Sequence, residues 1–443
     1  MKADTVSVVG LGYVGLSLAC KLAEIGLKVI GIDKDETRVS FIQAGRNPLK
    51  GKEPGLEELL TRVVFSGFLT TSTDPSAIFE ADAVFVCVNT PMDEERRPDL
   101  KTLENALRDI GKNMNEGTLV SIESTIPPGT MNGMVLPILE EESCLKAGKD
   151  FFLVHCPERV MPGRLLLNMS IYQRTLGGLD EESIKKARTY YSRLVSAEIH
   201  ETDMLSAEIT KTVENAYRDV QIAFANEVAL ACEELGADVF EIRRLVNTSP
   251  FRNMHYPGSG VGGHCIPKDS WLLISSVSKD TTCLIPKARK INDRMPMHLA
   301  QLARTAMREA DVDFEGARVT ILGLGFLKDS GDTRNSPAKP IIDEFIKDTD
   351  VVVHDPYAEE TYRATLTKKL EDALDGSDCA IFVTDHSVYE TLTLEFMASR
   401  MRNKIIVDGR NLFDAEKCKR AGFFYSGIGK GRKRKNLKGM NLS

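Results

Sequence analysis

The sequence predicts an α/β fold in two sheet-forming halves joined by a long central helix, and three stretches predict it. The first is strand, Gly-rich turn, helix, strand, acid: Thr5–Val9, then Gly10-Leu11-Gly12-Tyr13-Val14-Gly15, an amphipathic run from Leu16 to Ile25 closed by Gly26, then Lys28–Ile32 ending in Asp33. The second is a similar opening far downstream, where the β-branched run Val319–Leu322 leads into Gly323-Leu324-Gly325. Between them, Ile209, Val213, Ala216, Val220, Ala223, Phe224, Val228 and Leu235 recur at helical spacing from Ser206 to Leu235. Together these give two Rossmann-like nucleotide-binding domains joined by a long central helix. Expected boundaries are 1–203 for the first domain and 204–313 for a central helical segment. A second nucleotide-type domain follows at 314–429, and 430–443 is expected to be a basic flexible tail.

In the first unit the glycines have separate physical tasks. Gly10 makes the tight turn, Gly12 admits a pyrophosphate and Gly15 lets helix and strand pack closely, with Tyr13 and Val14 between them. The phosphates then lie on the helix N-terminus. Asp33 stands where a carboxylate accepts ribose hydroxyls, which favours NAD over NADP; Lys34 and Arg38 pull the other way, because a cation there can take a 2′-phosphate. Ala83–Val88 and Leu119–Ile122 read as buried parallel strands. They end in Asn89-Thr90-Pro91 and Glu123-Ser124-Thr125, so Thr90 and Thr125 face the ligand crevice or serve as turn residues. Phe151–Val154 is a further strand leading to Pro157-Glu158-Arg159-Val160-Met161-Pro162-Gly163. Glu158 and Arg159 side by side are either a structural ion pair or a general base beside an anion clamp, and both readings stay open.

On the long helix Lys211 and Asn215 are four residues apart and share a face, which Asp219 extends. The stretch Gly258–Asp269, reading GSGVGGHCIPKD, places four glycines within six residues directly before His264 and Cys265. Such a loop allows close backbone approach, and a thiol acts as a nucleophile only as thiolate, favoured by cations or aimed N–H groups. The bland alternative is a surface turn beside a structural cysteine. In the second half Lys328 occupies the place of the third glycine, so that loop is expected to hold an anion in a manner different from the first. Strands are expected at Asp350–Val353, Cys379–Val383, Lys404–Val407 and Phe423–Gly427.

Composition excludes several classes. With 57 Lys and Arg against 64 Asp and Glu, the net charge is −7, which argues against a nucleic-acid protein; only the tail is basic. Nine cysteines without a CxxC pair suggest neither zinc nor disulfides, so no metal is expected and the thiols suit a reducing cytoplasm. No signal-type h-region opens the chain and no apolar run is long enough to span a bilayer, so membrane insertion is not expected.

Taken together, GLGYVG, PER at 157–159, Lys211 with Asn215, GGHCIPKD, Asp332-Thr333-Arg334 with Ser336-Pro337, and Asp408-Gly409-Arg410 resemble the UDP-glucose/GDP-mannose dehydrogenase family over nearly the whole chain. The resemblance implies a cytoplasmic, NAD-dependent four-electron oxidation of a UDP-sugar at C6 through a thiohemiacetal and thioester on Cys265. It implies that Lys211 and Asn215 stabilise the oxyanion, that Asp269 and Thr125 position a water, and that Glu158 is a base or water activator. Gly10, Gly12, Tyr13, Val14, Gly15, Asp33, Arg38, Thr90, Thr125 and Arg334 fall on the cofactor side. Glu158, Arg159, Val160, Lys211, Asn215, Arg252 (or its neighbour Arg244), Tyr256, Gly258, Gly262, Lys328 and Arg410 fall on the substrate side. Apart from the resemblance, the length of the central helix suits a spine between domains or a dimer contact, so a homodimer or higher homo-oligomer through it is expected. The motifs PERVMPG and VGGHC favour a UDP-N-acetylhexosamine, UDP-N-acetylmannosamine first, over UDP-N-acetylglucosamine; PKD after the cysteine points to UDP-glucose. A two-electron hydroxyacid dehydrogenase would need no loop cysteine, and a non-catalytic nucleotide-sugar binder would need none of Lys211, Asn215, Cys265 and Asp269.

Overall fold

The computed structural model describes residues 4–49, 53–161 and 163–431. The expected basic tail therefore lies outside the described residues apart from Lys430 and Gly431. The chain divides into two compact units, Met1–Asn215 with Lys268–Thr281, and Ala216–Pro267 with Thr282–Ser443. Two helices run across that division along the chain, Met204–Leu235 and Cys265–Ser275.

The first unit holds an eight-stranded sheet of β1 (Thr5–Val9), β2 (Lys28–Ile32), β3 (Leu69–Ser72), β4 (Ala83–Val86), β5 (Leu119–Ile122), β6 (Phe152–His155), β7 (Arg174–Gly178) and β8 (Ile199–Asp203). Its order is β3-β2-β1-β4-β5-β6-β7-β8. All pairings are parallel except β6 with β7. The second unit holds β9 (Arg318–Leu322), β10 (Asp350–His354), β11 (Thr365–Thr367), β12 (Cys379–Phe382), β13 (Ile405–Asp408) and β14 (Phe424–Gly427), all parallel, in the order β11-β10-β9-β12-β13-β14. Counted from its own first strand, the second sheet has the same 3-2-1-4-5-6 order as the first six strands of the first sheet. That is the doubly wound arrangement, with ligands expected beyond the strand carboxyl ends where the order reverses. The central strands β4, β5, β12 and β13 are buried along their whole length, as parallel strands covered by helices on both faces must be.

Three details differ from the sequence reading. The edge strands β3, β8 and β11, and the inner strand β7, are short and half polar (LTTS, IHETD, TLT, RTLGG), so they carry no periodicity to read. No helix follows the second Gly-rich turn directly; the next one, Ala338–Phe345, begins thirteen residues after Gly325, whereas in the first half the helix Tyr13–Glu24 starts inside the turn. The long helix is present over Met204–Leu235, but its buried side is not the stripe of large apolar residues. Ile209, Val213, Phe224 and Leu235 are exposed, as are Leu205 and Tyr217, while Ala207, Ala216, Ala223, Ala225 and Ala229 are buried beside Glu208, Lys211, Thr212, Asp219 and Asn226. Small and polar side chains line the packed side because hydrogen-bonded partners meet them there.

Candidate active site

The first Gly-rich turn is shaped by close backbone approach. Gly10 has φ +90°, and a Cβ on Gly15 would stand 1.8 Å from the Gly10 carbonyl oxygen, so only glycine lets helix Tyr13–Glu24 sit this near β1. A Cβ on Gly12 would meet nothing within 4 Å, and Gly12, as N-cap, has no side chain with which to cap the helix. An open face over a helix N-terminus fits a pyrophosphate. Tyr13 and Val14 are half-buried in the first helical turn, Val14 against the core. Asp33 ends β2 buried; its Oδ2 accepts from Leu11 N at 2.7 Å and from Arg38 Nη1 at 2.8 Å, and its Oδ1 accepts from Asp35 N at 3.0 Å. Arg38 is thus held between Asp33 and Asp35.

Beyond the strand ends the same unit gathers a set of buried charges. Thr90 follows β4 and its hydroxyl donates to the Thr125 carbonyl at 2.6 Å, joining the loops after β4 and β5. Lys268 Nζ donates to Thr90 O at 3.2 Å and Oγ1 at 3.1 Å, and lies 3.6 Å from Asp269 Oδ1. Asn215 Nδ2 donates to Asp269 Oδ2 at 2.5 Å. Asp269 Oδ1 is buried with no hydrogen-bond partner among the described residues. Burial pushes the Asp269 carboxyl above the usual range, against the pull of the Lys268 and Lys211 ammoniums and the Asn215 hydrogen bond. From the long helix, Lys211 Nζ donates to the Glu158 carbonyl at 2.6 Å, while the Glu158 carboxylate is buried and accepts from Val160 N at 2.6 Å. Glu158 and Arg159 do not pair with one another. Arg159 instead reaches Glu214, Gln173 and Thr175.

Under these loops, His155 closes β6 fully buried, with Nδ1 2.9 Å from the Ile122 carbonyl. Burial lowers its pKa to about 3, so it is neutral. Glu123, one residue past β5, is buried with Tyr191, Ser121 and Arg174, and burial raises its pKa to about 7 against the pull of Arg174.

In the second unit the glycines before the cysteine are placed by protein neighbours. A Cβ on Gly262 would stand 2.3 Å from Phe326 Cβ, and one on Gly263 2.8 Å from Phe326 Cζ, so the Gly-rich turn after β9 packs on this loop. Gly263 N donates to the Arg334 carbonyl at 2.8 Å, and Asn335 Nδ2 to the Gly263 carbonyl at 3.0 Å. Gly258 N donates to Asn226 Oδ1 at 2.9 Å, and a Cβ there would be 3.1 Å from Arg410 Nη1. Cys265 is half-buried and is the first residue of helix Cys265–Ser275, whose second turn carries Asp269. A helix N-terminus favours a thiolate. Of the remaining residues, Lys328 is exposed and pairs with Glu390, Arg410 donates to Asp385 Oδ1 at 2.7 and 3.1 Å, and Arg334 lies on Asp332 at 2.5 Å. Arg244 pairs with Glu241, Arg252 is exposed near the Pro250 carbonyl, and the exposed Tyr256 ring carries the Arg243 guanidinium at 3.5 Å.

Sequence reasoning left four groups unassigned. Lys268 was visible beside Asp269, but the acceptor of its hydrogen bonds, Thr90, comes from a distant part of the chain. Asp355, one residue past β10, accepts from Leu324 N at 2.7 Å and Gly325 N at 2.8 Å and holds His386 Nε2 at 3.0 Å. It stands to β9 and β10 as Asp33 stands to β1 and β2, and the strand–Gly-turn–strand–acid order was the signal for it. Asp219 is fully buried against Arg289, and Asn292 and Asn226 continue that network to Gly258 N. Glu214 holds Arg159.

Family models describe three parts of the chain. Residues 4–195 match the NAD binding domain of the UDP-glucose/GDP-mannose dehydrogenase family, 205–294 its central domain and 320–415 its UDP binding domain. The chain is 38% identical over 428 residues to a UDP-N-acetyl-D-mannosamine dehydrogenase of Pyrococcus horikoshii, covering 96% of this chain and 99% of that protein. A solved structure of the UDP-D-ManNAc dehydrogenase from the same organism superposes with a TM-score of 0.90 at 37% identity, covering 97% and 100%. A UDP-glucose dehydrogenase from Pyrobaculum islandicum gives 0.83 at 30% identity, covering 96% and 98%.

Proposed function

The chain belongs to the UDP-glucose/GDP-mannose dehydrogenase family and is an NAD-dependent UDP-sugar dehydrogenase, and on that premise we propose that it oxidises the C6 hydroxyl of UDP-N-acetyl-D-mannosamine to a carboxylate. The balanced reaction consumes one water and two NAD+ and yields two NADH and three protons. NAD+, held by the turn Gly10–Gly15 and by Asp33, supplies the hydride acceptor.

This chain's own residues do the rest. The Cys265 sulfur adds to the C6 aldehyde carbon, which makes a thiohemiacetal able to lose a second hydride. Water then cleaves the resulting thioester and returns the thiol. Lys211 and Asn215 carry donors suited to an oxyanion on C6. Thr125 and Asp269 position the water, and Glu158 takes up a proton from the alcohol or from that water. Lys328 and Arg410 take the UDP end, and Arg334 the cofactor.

The observation that supports this best is a single helix that begins at Cys265 and one turn later buries Asp269, hydrogen-bonded to Asn215. Its second carboxylate oxygen makes no protein hydrogen bond among the described residues, which leaves it able to accept from a water. The N-acetylmannosamine choice draws on PERVMPG, VGGHC and the relatives named above. UDP-glucose is the second reading, supported by PKD at 267–269. The exposed Leu205, Ile209, Val213 and Tyr217 at four-residue spacing support a homo-oligomer through the long helix, and a cytoplasmic enzyme fits nine cysteines without a CxxC pair. Among the described residues no helix is long and apolar enough to cross a membrane.

Purified protein with NAD+ and a panel of UDP-sugars, followed by NADH formation, tests the substrate. The expected result is a kcat/KM highest for UDP-N-acetylmannosamine. A preference for UDP-glucose or UDP-N-acetylglucosamine would overturn the choice of sugar.

A further inference from the structure

Arg159 lies in the loop after β6, directly beside Glu158, and its guanidinium is engaged at all three nitrogens. Nε donates to Glu214 Oε2 at 3.2 Å and Nη2 to Glu214 Oε1, a side-on fork. Nη2 also donates to Thr175 Oγ1 at 2.9 Å, and Nη1 to the Gln173 carbonyl at 3.0 Å. One side chain therefore fastens the Glu158 loop to the start of strand β7 and to the long helix.

On that helix Glu214 lies one turn from Lys211 and next to Asn215, so Glu214 and Lys211 face the same way. The Lys211 ammonium donates to the Glu158 carbonyl at 2.6 Å. The Arg159–Glu214 fork and the Lys211–Glu158 bond are thus two adjacent fastenings between one loop and one helix turn. A lysine ammonium on four rotatable bonds is aimed only as well as its acceptor is fixed. The acceptor here is a backbone carbonyl in an irregular loop, and the next residue is the one tied down.

We infer that Arg159 is a positioning residue, acting through Glu214 to fix the Glu158 loop and so the Lys211 ammonium, and not a contact for the anionic part of the substrate. An anion clamp needs donors turned outward to a ligand, whereas this fork is already closed on a carboxylate of its own chain. Glu214, which repels an anion, is then as necessary as Arg159.

The inference rests on the proposed function only for its kinetic readout. Three variants decide it: Arg159→Gln, Glu214→Gln and both together, as full-length protein with NAD+. Acylation of Lys211 by acetic anhydride, followed by peptide mass spectrometry, needs no turnover. Lys211 is expected to react several-fold faster in either single variant, while the exposed Lys149 (side chain 82% accessible) reacts unchanged. With UDP-N-acetylmannosamine, each single variant should lose about ten- to a hundred-fold in kcat, the scale of a small misplacement of a reacting group, with substrate KM nearly constant. The double variant should be no worse than either single one, because both remove the same fastening. Unchanged Lys211 labelling in both single variants would overturn the inference. So would a raised KM in Arg159→Gln beside wild-type kinetics in Glu214→Gln, since Arg159 would then hold substrate. If one variant fails to fold, the other carries the same test. If the wild type oxidises no UDP-sugar, the proposed function fails while the labelling still decides the role of Arg159.

Discussion

Replacing Asp33 by alanine should remove the preference for NAD+ over NADP+ and weaken NAD+ binding itself. The carboxylate is 8% exposed, braces the turn through Leu11 N and, on the proposed function, also accepts from the ribose. A charge-assisted hydrogen bond to a ribose hydroxyl contributes about 1.5–3 kcal/mol, so each one lost weakens NAD+ by about ten- to 150-fold at 1.4 kcal/mol per decade. The same change frees Arg38, whose Nη1 is 2.8 Å from Asp33 Oδ2, for a 2′-phosphate, so NADP+ should hold its affinity or gain. Leu11 N, now donating to Asp33 Oδ2 at 2.7 Å in a buried position, would be left without an acceptor. That costs about 1–3 kcal/mol of stability and should appear as a lower melting temperature of the ligand-free variant. Calorimetric titration of both dinucleotides into wild type and variant measures the effect. Equal loss for the two would refute the reasoning, because Asp33 would then act only by bracing the turn.

Other changes should read out the buried groups. His155 is neutral in the fold with a pKa lowered to about 3 from 6.5, so its contribution is complete above pH 6.5 and is lost as pH falls toward 3. Taking those two values, the loss at pH 5 is about 2 kcal/mol. Urea midpoints at pH 8 and pH 5 should differ less in His155→Asn than in wild type, and equal pH dependence would contradict this. Asp219→Asn takes from Arg289, 1% exposed, one of its two carboxylates, Asp293 Oδ1 remaining at 2.9 Å from Nε, and should cost about 1.5–3 kcal/mol in denaturant unfolding; a neutral result would mean that Asp293 alone holds the guanidinium. Gly262→Ala brings a methyl group against Phe326 and should cost about 1–3 kcal/mol. Its NAD+ affinity should stay at the wild-type value while turnover falls, and unaltered turnover would show that the loop adjusts freely.

Much of the fold was legible because parallel strands are short apolar runs and the first turn carries three glycines and an acid at fixed spacing. The second half was legible as far as its strand and two glycines. The missing helix was not, because nothing in Phe326–Pro337 announces a long loop that packs on another loop. The long helix was found by its period, which does not tell which of its sides packs within the chain. Lys211, Asp219 and Asn226 on a helix look solvated, and they are buried because their partners, Glu158, Arg289 and Asn292, arrive from distant parts of the chain. The helix that begins at Cys265 was hidden by its glycines and by Pro267, which the first turn of a helix tolerates. Glu214 and Lys268 were missed for the same reason as Asp219: a charged residue shows its partner only in space.

The central claim, that the Cys265 sulfur carries the second oxidation, is tested most directly by counting NADH against uronic acid in the wild type and in Cys265→Ala. The wild type should form two NADH for each acid released. The variant should bind NAD+ normally, interconvert alcohol and aldehyde slowly at most, and release no acid detectable by mass spectrometry. Acid formed by Cys265→Ala at a rate near that of the wild type would contradict the claim, and would mean that a hydrated aldehyde is oxidised without the thiol.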